Sequence, residues 1–312
     1  MRKCRKNRFK YVWYLMMPMI LVGNFLVMNP SFAHSNEEEI HLESDALISV
    51  DNLLDTEVKF LIDADQVLDS NGNLLAEIAY LFGGFGRDRG RSITMQFMDT
   101  PDQVFNAEGF INRIRYRNWN QPAEGYQLTY RRRIPIWPVN HENIQVAINL
   151  ADTEGFGDWD MSLDWSYNSA VLTLSYTVNT IHQISSQLPN TMDSKNLLIN
   201  YMPEHITSLY SAKLLEAFND ITVHGPVTFR RYEFNFPGTT QRILRIEVMP
   251  IRTMDGTGID YIVEVSFELE NEGRLEVIYA SRNEIKDILE NADILLPDSG
   301  LRTSTILERY KR

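Results

Sequence analysis

The feature that most constrains the fold of this chain is a two-residue alternation of apolar and ionised side chains. Residues 53–63 read LLDTEVKFLID, and within them Asp55, Glu57 and Lys59 are spaced two positions apart. In an extended strand these three side chains leave the backbone on one side, whereas apolar residues such as Val58 leave it on the other. The segment therefore predicts a β-strand with one apolar face, which needs a cover, and one ionised face.

The same alternation recurs in five later segments of the chain. Their polar positions are Arg113, Arg115 and Arg117; Gln127, Thr129, Arg131 and Arg133; Asp158, Asp160, Ser162 and Asp164; Arg245 and Glu247; and Glu264, Ser266 and Glu268. A solvated outer face explains any one such strand, but arginines cluster on some strands and carboxylates on others. The alternative is a barrel whose apolar residues lie outside, under helices, and whose ionised residues line the lumen.

A lumen of this kind needs a ligand, because buried ionised groups need partners. Inward-facing carboxylates can share a divalent metal, and inward-facing arginines can hold a polyanion, so a metal-polyphosphate would satisfy both groups. The six histidines are scattered and show no paired metal-binding spacing, which argues against a zinc site.

The order of the predicted elements indicates an α+β domain. About nine strands of antiparallel character follow one another, and helical segments are interspersed rather than alternating regularly with them. Residues 193–219 divide into two helical pieces at Pro203, because a proline ring excludes a continuous helix. A large sheet or barrel with helices on its surface is the architecture that such a pattern favours.

The N-terminal segment has the three parts of a secretory signal peptide. MRKCRKNRFK carries six basic residues, an apolar run follows, and small residues stand at Ser31 and Ala33. We expect residues 1–33 to be removed, which leaves a flexible lead-in over residues 34–52. An uncleaved anchor helix is the alternative, but the apolar run is short for a membrane span and contains Pro18.

Export would leave an acidic chain without cysteine. The chain has 312 residues and a formal net charge of −12, and losing the six basic residues of the signal segment makes it −18. Its single cysteine, Cys4, lies in that segment, so the mature protein must draw its stability from its core. We expect an extracytoplasmic protein without a stable membrane anchor and without a nucleic-acid partner, because its net charge opposes phosphate.

Four segments of the chain resemble the CYTH, or triphosphate tunnel metalloenzyme, superfamily. DTEVK is similar to the family's E-x-E-x-K signature, with Asp55 where glutamate is usual. MQFMDTPDQVFNAEGFINRIRYR is similar to its Y-x-D-T-P-D segment and L-R-x-R strand, with Met98 in the aromatic position. YQLTYRRR resembles its T-x-K strand, with Arg131 in the lysine position, and VEVSFEL resembles its late acidic strand.

The resemblance spans residues 53–270 and implies a fold and an activity. The implied fold is an antiparallel eight-stranded β-tunnel, a closed barrel with a charged lumen and helices packed outside, over residues 53–312. An insertion is expected around residues 134–225, where the resemblance is weakest. The implied activity is hydrolysis or rearrangement of a triphosphate with Mg²⁺ or Mn²⁺.

The resemblance also implies roles for individual residues. The metal-binding set is Asp55, Glu57, Asp160, Glu247, Glu264 and Glu268. The substrate-binding set is Lys59, Arg113, Arg115, Arg131, Arg245 and either Arg230 or Arg231, of which alternation lets only one face inward. The catalytic set is Glu57, Lys59 and Glu268. In such a site a metal between carboxylates polarises the phosphoryl group, and guanidinium groups neutralise charge on it.

The sequence thus predicts a metal-dependent phosphohydrolase for inorganic triphosphate or a nucleoside or thiamine triphosphate. The principal alternative is a non-catalytic extracellular module that binds a polyphosphate or another polyanion in the same barrel. An adenylyl cyclase is a weaker alternative, because export removes the protein from ATP. A β-rich scaffold domain would require the ionised rows to face solvent.

Overall fold

The computed structural model describes residues 54–83, 87–117, 125–180, 188–202, 204–235, 243–269, 274–297 and 302–311, which all belong to one compact unit, Ser49–Arg312. Its strands are β1 (Asp55–Ile62), β2 (Arg87–Asp99), β3 (Phe110–Arg117), β4 (Gln127–Ile136), β5 (Asp160–Trp165), β6 (Ala170–Asn179), β7 (Thr222–Asn235), β8 (Ile243–Arg252) and β9 (Ile259–Leu269). Its helices are α1 (Ala64–Val67), α2 (Ala76–Leu81), α3 (Val104–Ala107), α4 (His141–Thr153), α5 (Thr191–Asn200), α6 (Glu204–Thr207), α7 (Ala212–Ala217), α8 (Leu275–Asn291) and α9 (Arg302–Arg309).

The strands form a closed barrel in the order β1-β5-β6-β4-β3-β2-β7-β8-β9, and β9 pairs with β1 to complete it. This confirms the closed α+β barrel but corrects two details of the predicted fold. The described residues form nine strands rather than eight, and β1 and β5 run parallel. A parallel pair needs a long crossover connection, and here the chain between β1 and β5 passes through β2, β3, β4 and α4.

The outer face of the barrel carries the main hydrophobic core. Val58 and Phe60 of β1 pack there with the apolar face of α8, whose buried residues include Ile278, Ile285 and Leu289. These positions of α8 are seven and four residues apart and so lie on one side of the helix. Burial of each such side chain contributes on the order of 1.5–3 kcal/mol, so the apolar alternation of the strands accounts for the helical cover.

The inner face of the barrel differs between its two ends. At one end the inward positions are apolar, and they enclose the apolar side of α9; we call this the apolar end, and its residues are Ile93, Met95, Phe97, Ile111, Val227, Phe229, Met249, Ile251, Ile262, Ile306, Leu307 and Tyr310. The predicted charged lumen is therefore not confirmed at this end. The reason is that β2 places Ile93, Met95 and Phe97 on its inner face, and that β3, β7, β8 and β9 also place apolar residues on their inner faces at this end.

The region in which an insertion was expected contributes to the barrel itself. Residues 134–225 contain β5 and β6, both barrel strands, together with α4 and three shorter helices. Helix α4 begins after Asn140, whose side chain accepts a hydrogen bond of 2.8 Å from the backbone N–H of Asn143 and so caps the helix.

The predicted signal peptide and lead-in lie outside the described residues. Among the helices of the described ranges, none combines the length and apolar character that a membrane crossing requires.

Candidate functional site

A cavity of about 40 Å³ lies between opposite walls of the barrel, next to the apolar end. We call it the central cavity; it is lined by Lys59, Phe97, Arg113, Arg131, Arg133, Asp164, Ser166, Val171, Glu264, Arg302 and Thr303. These residues come from seven of the nine strands, from the turn between β5 and β6, and from α9. Since β4 and β9 lie far apart in the strand order, a cavity that touches both is enclosed by the barrel.

One wall of the cavity is rich in arginine. Strands β3 and β4 are antiparallel neighbours, and their inner faces carry Arg113, Arg115, Arg131 and Arg133. Burial, together with the guanidinium groups around it, lowers the pKa of Arg113 well below its usual range. Burial and the neighbouring Arg117 lower the pKa of Arg115 to about 9. The pKa values fall because each added positive charge is unfavourable here, so this wall favours an anion.

The arginine wall also contains unused hydrogen-bond donors. Within the described part of the chain, the Nε atoms of Arg113, Arg115, Arg131 and Arg133 are buried and have no hydrogen-bond partner. A buried donor without an acceptor costs about 1–3 kcal/mol, more when it is charged. Several such donors around one cavity indicate that an acceptor with several oxygen atoms would stabilise the site.

The opposite wall carries carboxylates on adjacent strands. Glu57 of β1 lies in register between Asp164 of β5 and Glu268 of β9, and Glu247 of β8 lies in register with Glu264 of β9. Like charges at paired positions repel one another. The wall is therefore expected to hold cations between these carboxylates, and the structure shows which ones.

Lys59 neutralises the carboxylates at the β1 and β5 strands. Its Nζ lies 2.7 Å from Glu57 Oε2 and 3.3 Å from Asp164 Oδ1. Burial alone would raise the pKa of Asp164, but Lys59 and the guanidinium groups of Arg131 and Arg133 outweigh burial and lower that pKa to about 2. Asp164 is therefore ionised near neutral pH and ties β5 to β1.

Three arginines neutralise the remaining carboxylates of this wall. Arg245 forms a bidentate pair with Glu268, with N–O distances of 2.6 and 3.0 Å. Glu247 accepts hydrogen bonds from Arg231 at 2.6 and 2.9 Å and a further bond from Nη1 of Arg302. The same Nη1 lies 2.8 Å from Glu264 Oε1.

Glu247 and Glu264 differ in their ionisation although they are neighbours. Burial opposes ionisation of Glu247, but Arg302 and Arg231 outweigh it and lower the pKa of Glu247 to about 2. At Glu264, burial exceeds the favourable effects of Arg302 and Lys59, and with the repulsion of Glu247 it raises the pKa to about 7. One guanidinium thus serves two acids, and the acid with fewer partners is partly protonated near neutral pH.

The structure brings most of the predicted site residues together. Lys59, Arg113, Arg131 and Glu264 line the central cavity itself. Glu57, Arg115, Arg231, Arg245, Glu247 and Glu268 belong to the same network of inward charges through the ion pairs and electrostatic interactions above.

Three further predicted residues do not line the central cavity. Asp55 and Asp160 are exposed at the strand ends. Arg230 is on the outer face of β7, where it donates hydrogen bonds to Asn73 Oδ1 and Tyr232 Oη, so the inward member of the Arg230–Arg231 pair is Arg231.

Several residues of the cavity were absent from the predicted site. Arg133 and Asp164 stand on faces that the alternation had already identified, so the same signal could have included them. Arg302 and Thr303 could not be found in this way, because they lie on a helix near the C-terminal end of the chain. The hydroxyl of Thr303 accepts a hydrogen bond of 3.4 Å from Arg133 Nη2.

The carboxylates do not fit the divalent metal that the family resemblance implies. In the described ranges, no three acidic or imidazole side chains are grouped so as to hold a metal ion. Glu57, Glu247, Glu264 and Glu268 each contact a lysine or an arginine. A hard cation needs several carboxylate or carbonyl oxygens at once, and here basic side chains take those oxygens.

A comparison of this structure with solved structures finds proteins that match it over most of their length. A candidate adenylyl cyclase from Hippeastrum with a dominant triphosphatase activity is 11% identical, with a TM-score of 0.48 over 81% of this chain and 95% of that chain. A candidate adenylate cyclase from Bacillus halodurans is 14% identical, with a TM-score of 0.42 over 82% and 98%. One from Vibrio parahaemolyticus is 12% identical, with a TM-score of 0.36 over 82% and 98%.

No protein-family model matches the chain, and no curated protein matches it. The similar solved structures named above are described as candidate adenylyl or adenylate cyclases, and the description of one of them names a triphosphatase activity.

Proposed function

We propose that the central cavity binds the terminal phosphoryl group of a triphosphate or short polyphosphate, and that the protein is a triphosphatase-type phosphohydrolase. The observation that carries this proposal is the charge of the cavity lining. Five basic side chains line it, Lys59, Arg113, Arg131, Arg133 and Arg302, against two acids, Asp164 and Glu264. A buried excess of positive charge is costly, and a multiply charged anion removes that cost.

The arginine side chains suit phosphate oxygens. A guanidinium group is planar, stays ionised and presents paired N–H donors, which match the oxygens of a phosphoryl group. The Nε donors of Arg113, Arg131 and Arg133 have no acceptor among the described residues, and these arginines line the cavity from two strands, so they can contact one ligand together. The triphosphate class itself is favoured by the resemblance of DTEVK and the neighbouring segments to the triphosphate tunnel enzymes.

The size of the cavity indicates how such a ligand would lie. A volume of about 40 Å³ has room for roughly three water molecules. One phosphoryl group could replace them. The rest of the chain of phosphates would extend toward the end of the barrel where Glu57 and Glu268 are partly exposed, with side-chain exposures of 28% and 41%. Arg245, which pairs with Glu268, is at that end and can contact the remaining phosphates.

Titration calorimetry with tripolyphosphate tests binding. We expect a saturable exothermic interaction that weakens as salt is added, because charge drives it. Arg131→Met should weaken binding by at least about tenfold, the loss that follows when a hydrogen bond to a charged group is removed. Arg132→Met is the matched control: Arg132 is the next residue, lies on the outer face of β4 and pairs with Glu154 at 3.2 Å. Equal binding by both variants would contradict the proposal.

Release of phosphate from tripolyphosphate, a nucleoside triphosphate and thiamine triphosphate tests hydrolysis. The assay should be run with Mg²⁺, with Mn²⁺ and with EDTA, because dependence on these metals is still a prediction from the family resemblance.

The second candidate function is a binding module without catalysis. It is favoured by the basic partners of Glu57 and Glu268, which leave neither carboxylate free to activate water. Tight binding without turnover in any of the three conditions would support the module.

A further inference from the structure

Arg302 occupies an unusual position between two carboxylates. Its Nη1 contacts Glu247 Oε2 and lies 2.8 Å from Glu264 Oε1, on two strands that are paired in register. The guanidinium also lies over the ring of Phe229, 5.5 Å from its centroid. A cation shared by oxygens from two carboxylates is the arrangement in which proteins commonly hold a divalent metal.

Helix α9 holds Arg302 firmly at this place. Ile306, Leu307 and Tyr310 of the helix and the residue after it are buried in the apolar end of the barrel. Arg309 forms an ion pair of 2.9 Å with Asp260 of β9 at the helix end. The guanidinium is therefore a fixed part of the barrel interior rather than a mobile surface group.

We propose that Arg302 takes the place of a divalent cation between Glu247 and Glu264, so that the barrel binds polyphosphate without a metal. This inference rests on the proposed function, and it specifies how that function works in this chain. Arg302 offsets part of the negative charge of the two acids, which would otherwise repel a polyanion, and it lines the central cavity itself. The other three carboxylates of this wall also have basic partners, Glu57 and Asp164 in Lys59 and Glu268 in Arg245.

The first test needs no variant. Tripolyphosphate is titrated into the wild-type protein in EDTA and again with Mn²⁺ present in excess over the ligand. We expect the two dissociation constants to agree within about threefold, a difference smaller than the tenfold that 1.4 kcal/mol represents. Binding that appears only with Mn²⁺ would overturn the inference while leaving the proposed function intact. Absence of binding in both conditions would instead contradict the proposed function.

The second test measures Mn²⁺ directly by electron paramagnetic resonance, without any anion. The wild-type protein should leave the Mn²⁺ signal free, because Arg302 occupies the carboxylate pair. Arg302→Met exposes two neighbouring acids, so this variant should bind one Mn²⁺, and adding Glu264→Gln to it should abolish that binding. Tight Mn²⁺ binding by the wild type equal to that of Arg302→Met would overturn the inference, whether or not the protein binds tripolyphosphate.

Two further variants serve as controls. Arg302→Lys keeps a positive charge at the acid pair and should bind no Mn²⁺; it also keeps the test decisive if Arg302→Met fails to fold. Arg309→Met changes another arginine of the same helix, which pairs with Asp260 outside the acid pair. It should behave as the wild type in both measurements. Mn²⁺ binding by Arg309→Met would show that loosening of α9, rather than loss of the Arg302 charge, creates the metal site.

Discussion

Lys59 and Asp164 form an ion pair of 3.3 Å between β1 and β5, the two strands that run parallel. Asp164 is 7% exposed, and its Oδ2 also accepts a hydrogen bond of 2.9 Å from the hydroxyl of Thr173. The pair therefore has two roles: it links the two parallel strands of the barrel, and it sets part of the charge of the central cavity.

We expect Asp164→Asn to destabilise the protein and to strengthen anion binding. Removing one partner of a buried ion pair costs about 3 kcal/mol, because Lys59 and Arg133 would lose a negative neighbour. The same loss raises the positive charge of the cavity, so tripolyphosphate should bind more tightly. Urea denaturation and titration calorimetry measure the two effects. Asp160→Asn, at an exposed position of the same strand, should change the free energy of unfolding by less than about 0.5 kcal/mol.

Arg113→Met should have the opposite pair of effects. Arg113 is 6% exposed and is surrounded by other guanidinium groups that, with burial, depress its pKa. An apolar side chain of similar length removes this repulsion, so the unfolding free energy should rise by about 1 kcal/mol. Anion binding should weaken at least tenfold, the effect of losing a charged donor.

Arg282→Met provides the comparison for Arg113. Arg282 is also buried, at 9% exposure, but it donates hydrogen bonds to the backbone oxygens of Ser166 and Tyr167 and stacks over Trp165. Its loss should lower the unfolding free energy by about 2 kcal/mol, because two carbonyls lose their donor. If both variants were destabilised equally, Arg113 would be a structural residue rather than part of an anion site.

His224 should make the protein less stable in acid. This side chain of β7 is fully buried, and its Nδ1 has no hydrogen-bond partner in the part of the chain that the structure describes. Burial lowers its pKa below 6.5, although the nearby Asp99 opposes this. Between the folded and the unfolded pKa values only the unfolded chain binds the proton, so stability falls as the pH drops below about 6.5.

The contribution of His224 is measured by comparison with His224→Gln. Urea denaturation of both proteins at pH 7.5 and pH 5.5 should show a smaller loss of stability for the variant. His141→Gln, at an exposed position of α4, should keep the wild-type pH dependence. Identical pH dependence of wild type and His224→Gln would show that His224 does not couple to folding.

Gly125 should tolerate no side chain. It has a φ of +67° just before β4, and a Cβ there would overlap the backbone oxygen of Thr180. Gly125→Ala should therefore cost at least about 3 kcal/mol, since the backbone must move. Gly83→Ala is the matched variant, because Gly83 has a φ of +82° and no atom of the described residues lies within 4 Å of the added Cβ. Gly83→Ala should lower the free energy of unfolding only by the backbone strain, about 1 kcal/mol. Thermal denaturation of the two variants measures the difference.

The sequence predicted which side chains share a face. The two-residue period of a strand depends only on backbone geometry, so Glu57 and Lys59, or Arg113 and Arg115, could be placed together without knowledge of the fold. The same period showed that only one of Arg230 and Arg231 faces inward, but not which one. That choice depends on the register between β7 and β8, where Arg231 pairs with Glu247.

The parallel direction of β5, the apolar end of the barrel and the position of Arg302 were decided only by the tertiary structure. Alternation along one strand carries no information about the neighbouring strand or its direction. Arg302 reaches Glu247 across 55 positions of the sequence, and what brings it there is the burial of Ile306 and Leu307 inside the barrel. Local periodicity therefore determined which charges the barrel offers, whereas packing between distant segments decided that Arg302 contacts two of its acids.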